Sequence, residues 1–220
     1  MPTTVFRQIS DPRSCGYAYL LGDLAGGAAV VVDPLPNQVA VLLGMLRELE
    51  LRAVYVALTH AHDDAPGAAA LAAATGARVA AGRRCRAAAV DLPLAQGDLL
   101  RFGQEVLRCL ETPGHTTGCM SYQWRDRLLT GDALLIGDCV AEAEAGALYD
   151  SIVGRLFALP DETLIYPCHD FAHRRVSCIA EERESNPALA GVSRDEFIAR
   201  QAARAIPKPV QNRPSLGVPR

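Results

Sequence analysis

Long apolar runs are absent from this 220-residue chain, and none approaches the roughly 20 residues that a membrane-spanning helix needs. Met1–Ser10 has no apolar stretch, so no secretory leader is read there. Excess charge of one sign is also missing. Lys and Arg number 22 against 25 Asp and Glu, a net charge of −3 with the signs interspersed, which gives no electrostatic footprint for nucleic acid. The seven cysteines (Cys15, Cys85, Cys109, Cys119, Cys139, Cys168 and Cys178) contain no Cys-x-x-Cys pair. An odd, unpatterned set excludes a disulfide frame and reads as reduced thiols, so a cytoplasmic protein is expected. No internal repeat, low-complexity tract or linker divides the chain. Its length suffices for one sizeable core, and one domain spanning residues 1–220 is expected.

What is present is an alternation of short strands and helices. Tyr17–Leu21 and Ala28–Val32 read as a hairpin, and Asp33-Pro34 closes its second strand. Asn37–Glu50 carries Val39, Leu42, Leu43, Leu46 and Leu49 at helical spacing. Ala53–Leu58 is a strand, Ala65–Ala74 a helix ended by Gly76, and Arg78–Ala81 a strand. Glu105–Leu110, Met120–Trp124 and Arg127–Thr130 are further strands. Gly146–Leu159 reads as a helix with Leu148, Ile152, Leu156 and Leu159 on one face. Thr163–Tyr166 is a last strand, Val176–Glu184 and Ser193–Ala205 are helices, and the proline-bearing tail begins at Pro207. This order suggests two mixed sheets with helices outside, an α/β sandwich.

Histidine is scarce, and its placement matters. Of five histidines, His60, His62, His115 and His169 sit in loops that follow strands, as does Asp132. Loops at strand ends are where a rigid scaffold presents chemistry. In an extended segment His60-Ala61-His62 puts two rings on one side of the chain, with Asp64 next on that side. Imidazole and carboxylate are the ligands that divalent zinc or iron take, so the spacing points to a metal site. His173 reads as a surface residue and Trp124 as core.

Thr59-His60-Ala61-His62-Asp63-Asp64 resembles the His-x-His-x-Asp-His signature of the metallo-β-lactamase superfamily. Thr112-Pro113-Gly114-His115-Thr116, Thr130-Gly131-Asp132 and Tyr166-Pro167-Cys168-His169-Asp170 are similar to its later motifs and come in the same order. Gly118-Cys119-Met120-Ser121-Tyr122, Ala133-Leu134-Leu135-Ile136, Leu159–Pro167 and Glu181–Pro187 resemble the persulfide dioxygenases within it. The likeness runs from about Ser14 to about Pro209. It implies the metallo-β-lactamase αββα fold and one Fe(2+) per chain, bound by His60, His115 and Asp132 as metal ligands and catalytic centre. It implies oxidation of glutathione persulfide, or a related small-molecule persulfide, to sulfite with O2. It also implies a homodimer. His62 is then a fourth ligand or an outer group, and Asp64, His169 and Cys139 are further candidates.

Four departures from the family pattern stand out. Ala65 replaces the signature's last histidine, a second-metal ligand in two-metal hydrolases, which disfavours glyoxalase II-like thioester hydrolysis with Zn(2+). Ala141 falls where relatives carry an arginine, Phe171 where they carry a tyrosine, and Pro66-Gly67-Ala68 where they have a Thr-Gly run. An altered substrate, weakened activity or a non-catalytic metal-binding paralogue would follow from such losses. Cys139 is either an oxidisable thiol by the metal or a packed one. Asp170 either orients a ring or stabilises its loop. Arg83-Arg84-Cys85-Arg86 is either a solvated loop or a patch for an anionic thiol.

Overall fold

The computed structural model describes residues 3–62, 65–171 and 173–204. Asp64 and the tail from Pro207, both singled out by the sequence, lie outside these residues. Two six-stranded sheets face one another. The first runs β1 (Thr4–Asp11), β2 (Gly16–Asp23), β3 (Ala28–Val32), β4 (Arg52–Leu58), β5 (Arg78–Gly82) and β6 (Leu92–Leu94) in chain order. Its β1–β2 and β2–β3 pairs are antiparallel and the rest parallel. The second sheet has the order β12-β11-β10-β9-β8-β7. Its strands are β7 (Leu99–Phe102), β8 (Glu105–Glu111), β9 (Met120–Trp124), β10 (Arg127–Gly131), β11 (Leu164–Pro167) and β12 (Ser177–Cys178). Only β10–β11 is parallel there.

Three apolar layers hold this together. Between the sheets pack Tyr19, Leu21, Val30, Phe102, Leu107, Tyr122 and Trp124. On the outer face of the first sheet, Leu20, Val31 and Val56 meet helices α1 (Val39–Glu48) and α2 (Pro66–Thr75) through Leu42, Leu46 and Leu71. On the outer face of the second, Leu128 and Ile165 meet α3 (Ala145–Ser151), α4 (Ile179–Ser185) and α5 (Arg194–Ala203) through Leu148, Ile179 and Phe197. Covered on both faces, β2 and β3 are buried at every residue, and their near-continuous apolar sequence reflects that. The expected two-sheet sandwich with outer helices is therefore what the chain forms.

The expected strands and helices are present within a residue or two, with instructive exceptions. The strands without a sequence signal are β1, β6, β7 and β12, and all four lie at the sheet edges. An edge strand pairs on one side only and buries less, so its sequence carries less apolar pattern. The segment 176–184, expected to be one helix, begins with the β12 strand before α4. The helix expected over Gly146–Leu159 is α3 followed by a wider turn at Ile152–Leu156. Leu148, Ile152 and Leu156 still reach the core, because the wider turn keeps their spacing on one face. Trp124 is core, as expected, and its indole N–H donates to Glu105 at 2.8 Å.

Leu107 is fully buried between the sheets. Leu107→Ala should cost about 2–5 kcal/mol, read as a lower urea midpoint with an unchanged slope. A loss below about 1 kcal/mol would mean that this layer is not the tight core described.

Candidate metal centre

The C-terminal ends of β3, β4, β8, β10 and β11 meet at one edge of the sandwich, and each delivers a polar side chain. From β3 comes Asp33, from β4 Thr59, His60 and His62, from the loop after β8 His115, from β10 Asp132, and from β11 Cys168 and His169. Hydrogen bonds to backbone carbonyls stitch the two sheets here. Met120 N donates to Thr59 O at 2.7 Å, Tyr122 Oη to Leu58 O at 2.7 Å, and Tyr17 N to Cys168 O at 2.8 Å. Gly131 makes the closest approach. Its φ is +59°, and a Cβ there would lie 2.5 Å from Thr59 Oγ1, so only glycine lets Asp132 arrive beside His60.

Four donor groups converge: His60, His62, His115 and Asp132. Asp132 Oδ2 is 3.5 Å from His60 Nε2 and 3.7 Å from His115 Nε2, and the His115 and His62 Nε2 atoms are 3.2 Å apart. The three rings are nearly perpendicular, with centroids 5.0–5.2 Å apart. Ligands at about 2.1 Å from a zinc- or iron-sized ion lie roughly 3.0–3.7 Å from one another, so the donor set fits such an ion.

Outer contacts orient the rings. His115 Nδ1 lies 2.9 Å from Val140 O, the position of an N–H donor to that carbonyl, which leaves Nε2 for the centre. His60 Nδ1 is 3.0 Å from Thr59 Oγ1, and that hydroxyl donates to Asp33 Oδ2 at 2.7 Å. Asp33 Oδ1 also accepts from Thr59 N at 2.8 Å. His169 Nδ1 lies 2.8 and 2.9 Å from the two Asp132 oxygens. Burial pushes the His60 imidazole down to about 4 and so favours the neutral, ligating form. Burial also opposes charge on Asp132, but the rings of His60, His169 and His115 outweigh it and hold the carboxyl below its usual range. Asp33 is pushed up to about 7 by burial, against the opposing Thr59 hydrogen bonds.

The sequence-derived candidates divide clearly. His60, His62, His115 and Asp132 are brought together, and His169 joins them through Asp132. Cys139 is fully buried in the apolar layer under α3, a packed thiol outside the donor group. Asp170 secures its loop, accepting from Tyr17 Oη at 2.9 Å and from Arg174 N at 2.9 Å. Phe171 is exposed and stacks on His169 with centroids 5.7 Å apart. Ala65 begins α2 and packs on the first sheet's outer layer. His173 is exposed, as expected. Sequence reasoning passed over Asp33, Cys168 and Glu142. Cys168 forms a second donor group with Asp132 and His169, and Glu142 Oε2 is 3.3 Å from His62 Nδ1. The available signal for Asp33 was its place directly after an apolar strand, the same position Asp132 holds.

No protein-family model matches the chain. Similarity to known proteins is nonetheless extensive. The chain is 37% identical over 214 residues to the mitochondrial persulfide dioxygenase ETHE1 of Mus musculus, covering 94% of this chain and 84% of that one. The crystal structure of ETHE1 from Myxococcus xanthus superposes with a TM-score of 0.88 at 42% identity, covering 93% of each chain. The chain belongs to the persulfide dioxygenase family. A hydroxyacylglutathione hydrolase of Cereibacter sphaeroides is 39% identical over a shorter stretch, 80% of this chain and 71% of its own. A metallo-β-lactamase of Staphylococcus aureus, at 22% identity and a TM-score of 0.83, shares the αββα fold. The persulfide dioxygenase resemblance read from the motifs is thus correct, and so is the metallo-β-lactamase fold.

Thr59 bridges Asp33 and His60, so Thr59→Val leaves His60 Nδ1 and Asp33 Oδ2 without that hydroxyl in this persulfide dioxygenase-family centre, while Asp33 Oδ1 keeps the backbone bond. Metal affinity should fall about 10- to 100-fold in a chelator competition titration. Affinity equal to that of the native protein would remove Thr59 from any role in orienting His60.

Proposed function

We propose that this chain oxidises the outer sulfur of a thiol persulfide to sulfite, with dioxygen as oxidant, at one ferrous ion held by His60, His115 and Asp132. Persulfide, dioxygen and water give free thiol, sulfite and two protons. The observation that carries this reading is the pairing of near-full-length similarity to persulfide dioxygenases with two histidines and one carboxylate converging at one point. A 2-His-1-carboxylate set suits non-haem iron and leaves positions open for substrate and dioxygen, with the ion supplying the redox chemistry.

The protein's own groups have separable tasks. Val140 O and Thr59 Oγ1 fix the rings of His115 and His60. His169 holds both oxygens of Asp132 in place and helps keep it ionised. His62, between His115 and Glu142, is placed to hold a released proton at Nδ1 against the Glu142 carboxylate. A cavity of about 200 Å³ reaches from His62 and His115 to solvent past Thr116, and it admits the persulfide.

Zinc-dependent thioester hydrolysis is the second reading, favoured by the likeness to the hydroxyacylglutathione hydrolases. Two-metal hydrolysis needs a full second ligand set, and Ala65 removes one member of it. Glutathione is our choice of carrier. The seven cysteines are free, which fits a reducing compartment, and we assign the cytoplasm. A homodimer remains part of the proposal, to be read by light scattering.

Anaerobically purified protein should hold about one iron per chain and consume oxygen with glutathione persulfide, forming sulfite. Near two zinc ions per chain with thioesterase activity would establish the hydrolase instead. His115→Ala should abolish stoichiometric metal, because two remaining ligands hold an open-site ion poorly. Retention of full metal by that variant would sink the ligand assignment.

A further inference from the structure

The turn that follows β5 carries Arg83, Arg84 and Arg86, and the last two line the pocket of the metal centre. Arg125, Arg174, Arg183, Arg194, Arg200 and Arg204 each sit in an ion pair, whereas the side chains of Arg84 and Arg86 have no hydrogen bond or ion pair among the described residues. Both are exposed, and both line the cavity that His62 and His115 floor. Cys85 between them turns inward against the first sheet's outer layer, which leaves its two neighbours on the open side.

The turn is held rigidly in that place. Cys85 N donates to Gly82 O at 2.7 Å and Arg83 N to Leu94 O at 3.0 Å. Its backbone also packs on the loop that carries His115. A Cβ on Gly118 would lie 2.2 Å from Cys85 N, and one on Gly82 would lie 2.4 Å from Gly118 O. Side chains at these two glycines would drive the arginines away from the metal ligand. The segment after Asp132 contributes Glu142 and Ala143 to the same cavity, while Ala141 packs into the layer under α3. The cations of the pocket therefore come from the β5 turn, and one carboxylate comes from Glu142.

We propose that Arg84 and Arg86 form a subsite of this pocket that seats a carboxylate of the substrate's thiol carrier. This rests on the persulfide dioxygenase reading of the same centre. Glu142, the pocket's one carboxylate, lies against His62, which leaves the two guanidinium groups open to an anion. Guanidinium offers a planar fork that matches a carboxylate with two hydrogen bonds, and free forks at the rim of a cavity steer and seat anions. A carrier without carboxylates gains nothing from these residues.

The test has a binding arm and a turnover arm. Binding of S-methylglutathione, the carrier without a reactive sulfur, is measured by calorimetry on metal-loaded protein at low and high salt. Arg84→Gln/Arg86→Gln should weaken it at least about tenfold and flatten its salt dependence, while Arg84→Lys/Arg86→Lys should keep part of the affinity. The remote surface variant Arg101→Gln should match the native protein. In oxygen uptake, the double Gln variant should raise KM for glutathione persulfide by a similar factor with kcat little changed, and leave KM for ethyl persulfide unaltered. Unchanged binding of S-methylglutathione by the double variant would overturn the subsite, as would an equal rise in KM for both persulfides. No oxygen uptake from any persulfide by iron-loaded native protein would defeat the dioxygenase reading alone, and the binding arm would still decide the subsite.

Discussion

The close contact between Gly131 and Thr59 sets everything at the metal-binding edge. His60 and His62 belong to the first sheet, and His115 and Asp132 to the second, so the donor set spans the seam of the sandwich. Packed sheets normally lie about 10 Å apart, filled by side chains. At this edge the sheets draw together: Met120 N of β9 donates to Thr59 O just past β4, and Gly131 of β10 meets the Thr59 side chain. A glycine in the left-handed region is what permits the approach. Any side chain at 131 would open the seam and separate histidine from aspartate by more than a ligand bond tolerates.

A second consequence is electrostatic. The seam places Asp132, Asp33, His60 and His115 at the end of an apolar core, where water cannot solvate charge. The polar groups there satisfy one another: Asp33 through both hydrogen bonds from Thr59, and Asp132 through His169. Burial keeps the His60 ring neutral, while neighbouring rings keep Asp132 ionised. That combination of neutral imidazole and anionic carboxylate is the state a divalent cation needs, and it exists before any ion arrives. Dependence of ligand orientation on Thr59 and Val140 makes the outer groups part of the same device.

The pocket wall draws on few charged side chains. Ala141 packs into the layer under α3, and Phe171 stacks on His169 outside the cavity lining. Neither can donate a hydrogen bond to a ligand. Positive charge is instead offered from the β5 turn, which sits on the His115 loop through Gly82 and Gly118.

Much of this was legible before the fold. The period of Val39–Leu49, the apolar runs of β3, β4 and β8, and a histidine or aspartate directly after a strand are local features, and local sequence determined them. The four motifs specified the family and the fold. Edge strands β1, β6, β7 and β12 were not legible, because a strand paired on one side needs no strong apolar pattern. Nor were the partners of the metal ligands. Asp33 and Thr59 are 26 residues apart, and Val140 and His115 are 25 apart. Cys139 read from sequence as a possible neighbour of the metal, yet it faces the helical layer. Arg84 and Arg86 read equally well as a solvated loop, and only the packing of their turn on Gly118 turned them toward the pocket. Residue type and spacing determined which groups could bind a metal; the closure of two sheets at one seam decided which of them meet, because contacts between distant segments exist only once the core has packed.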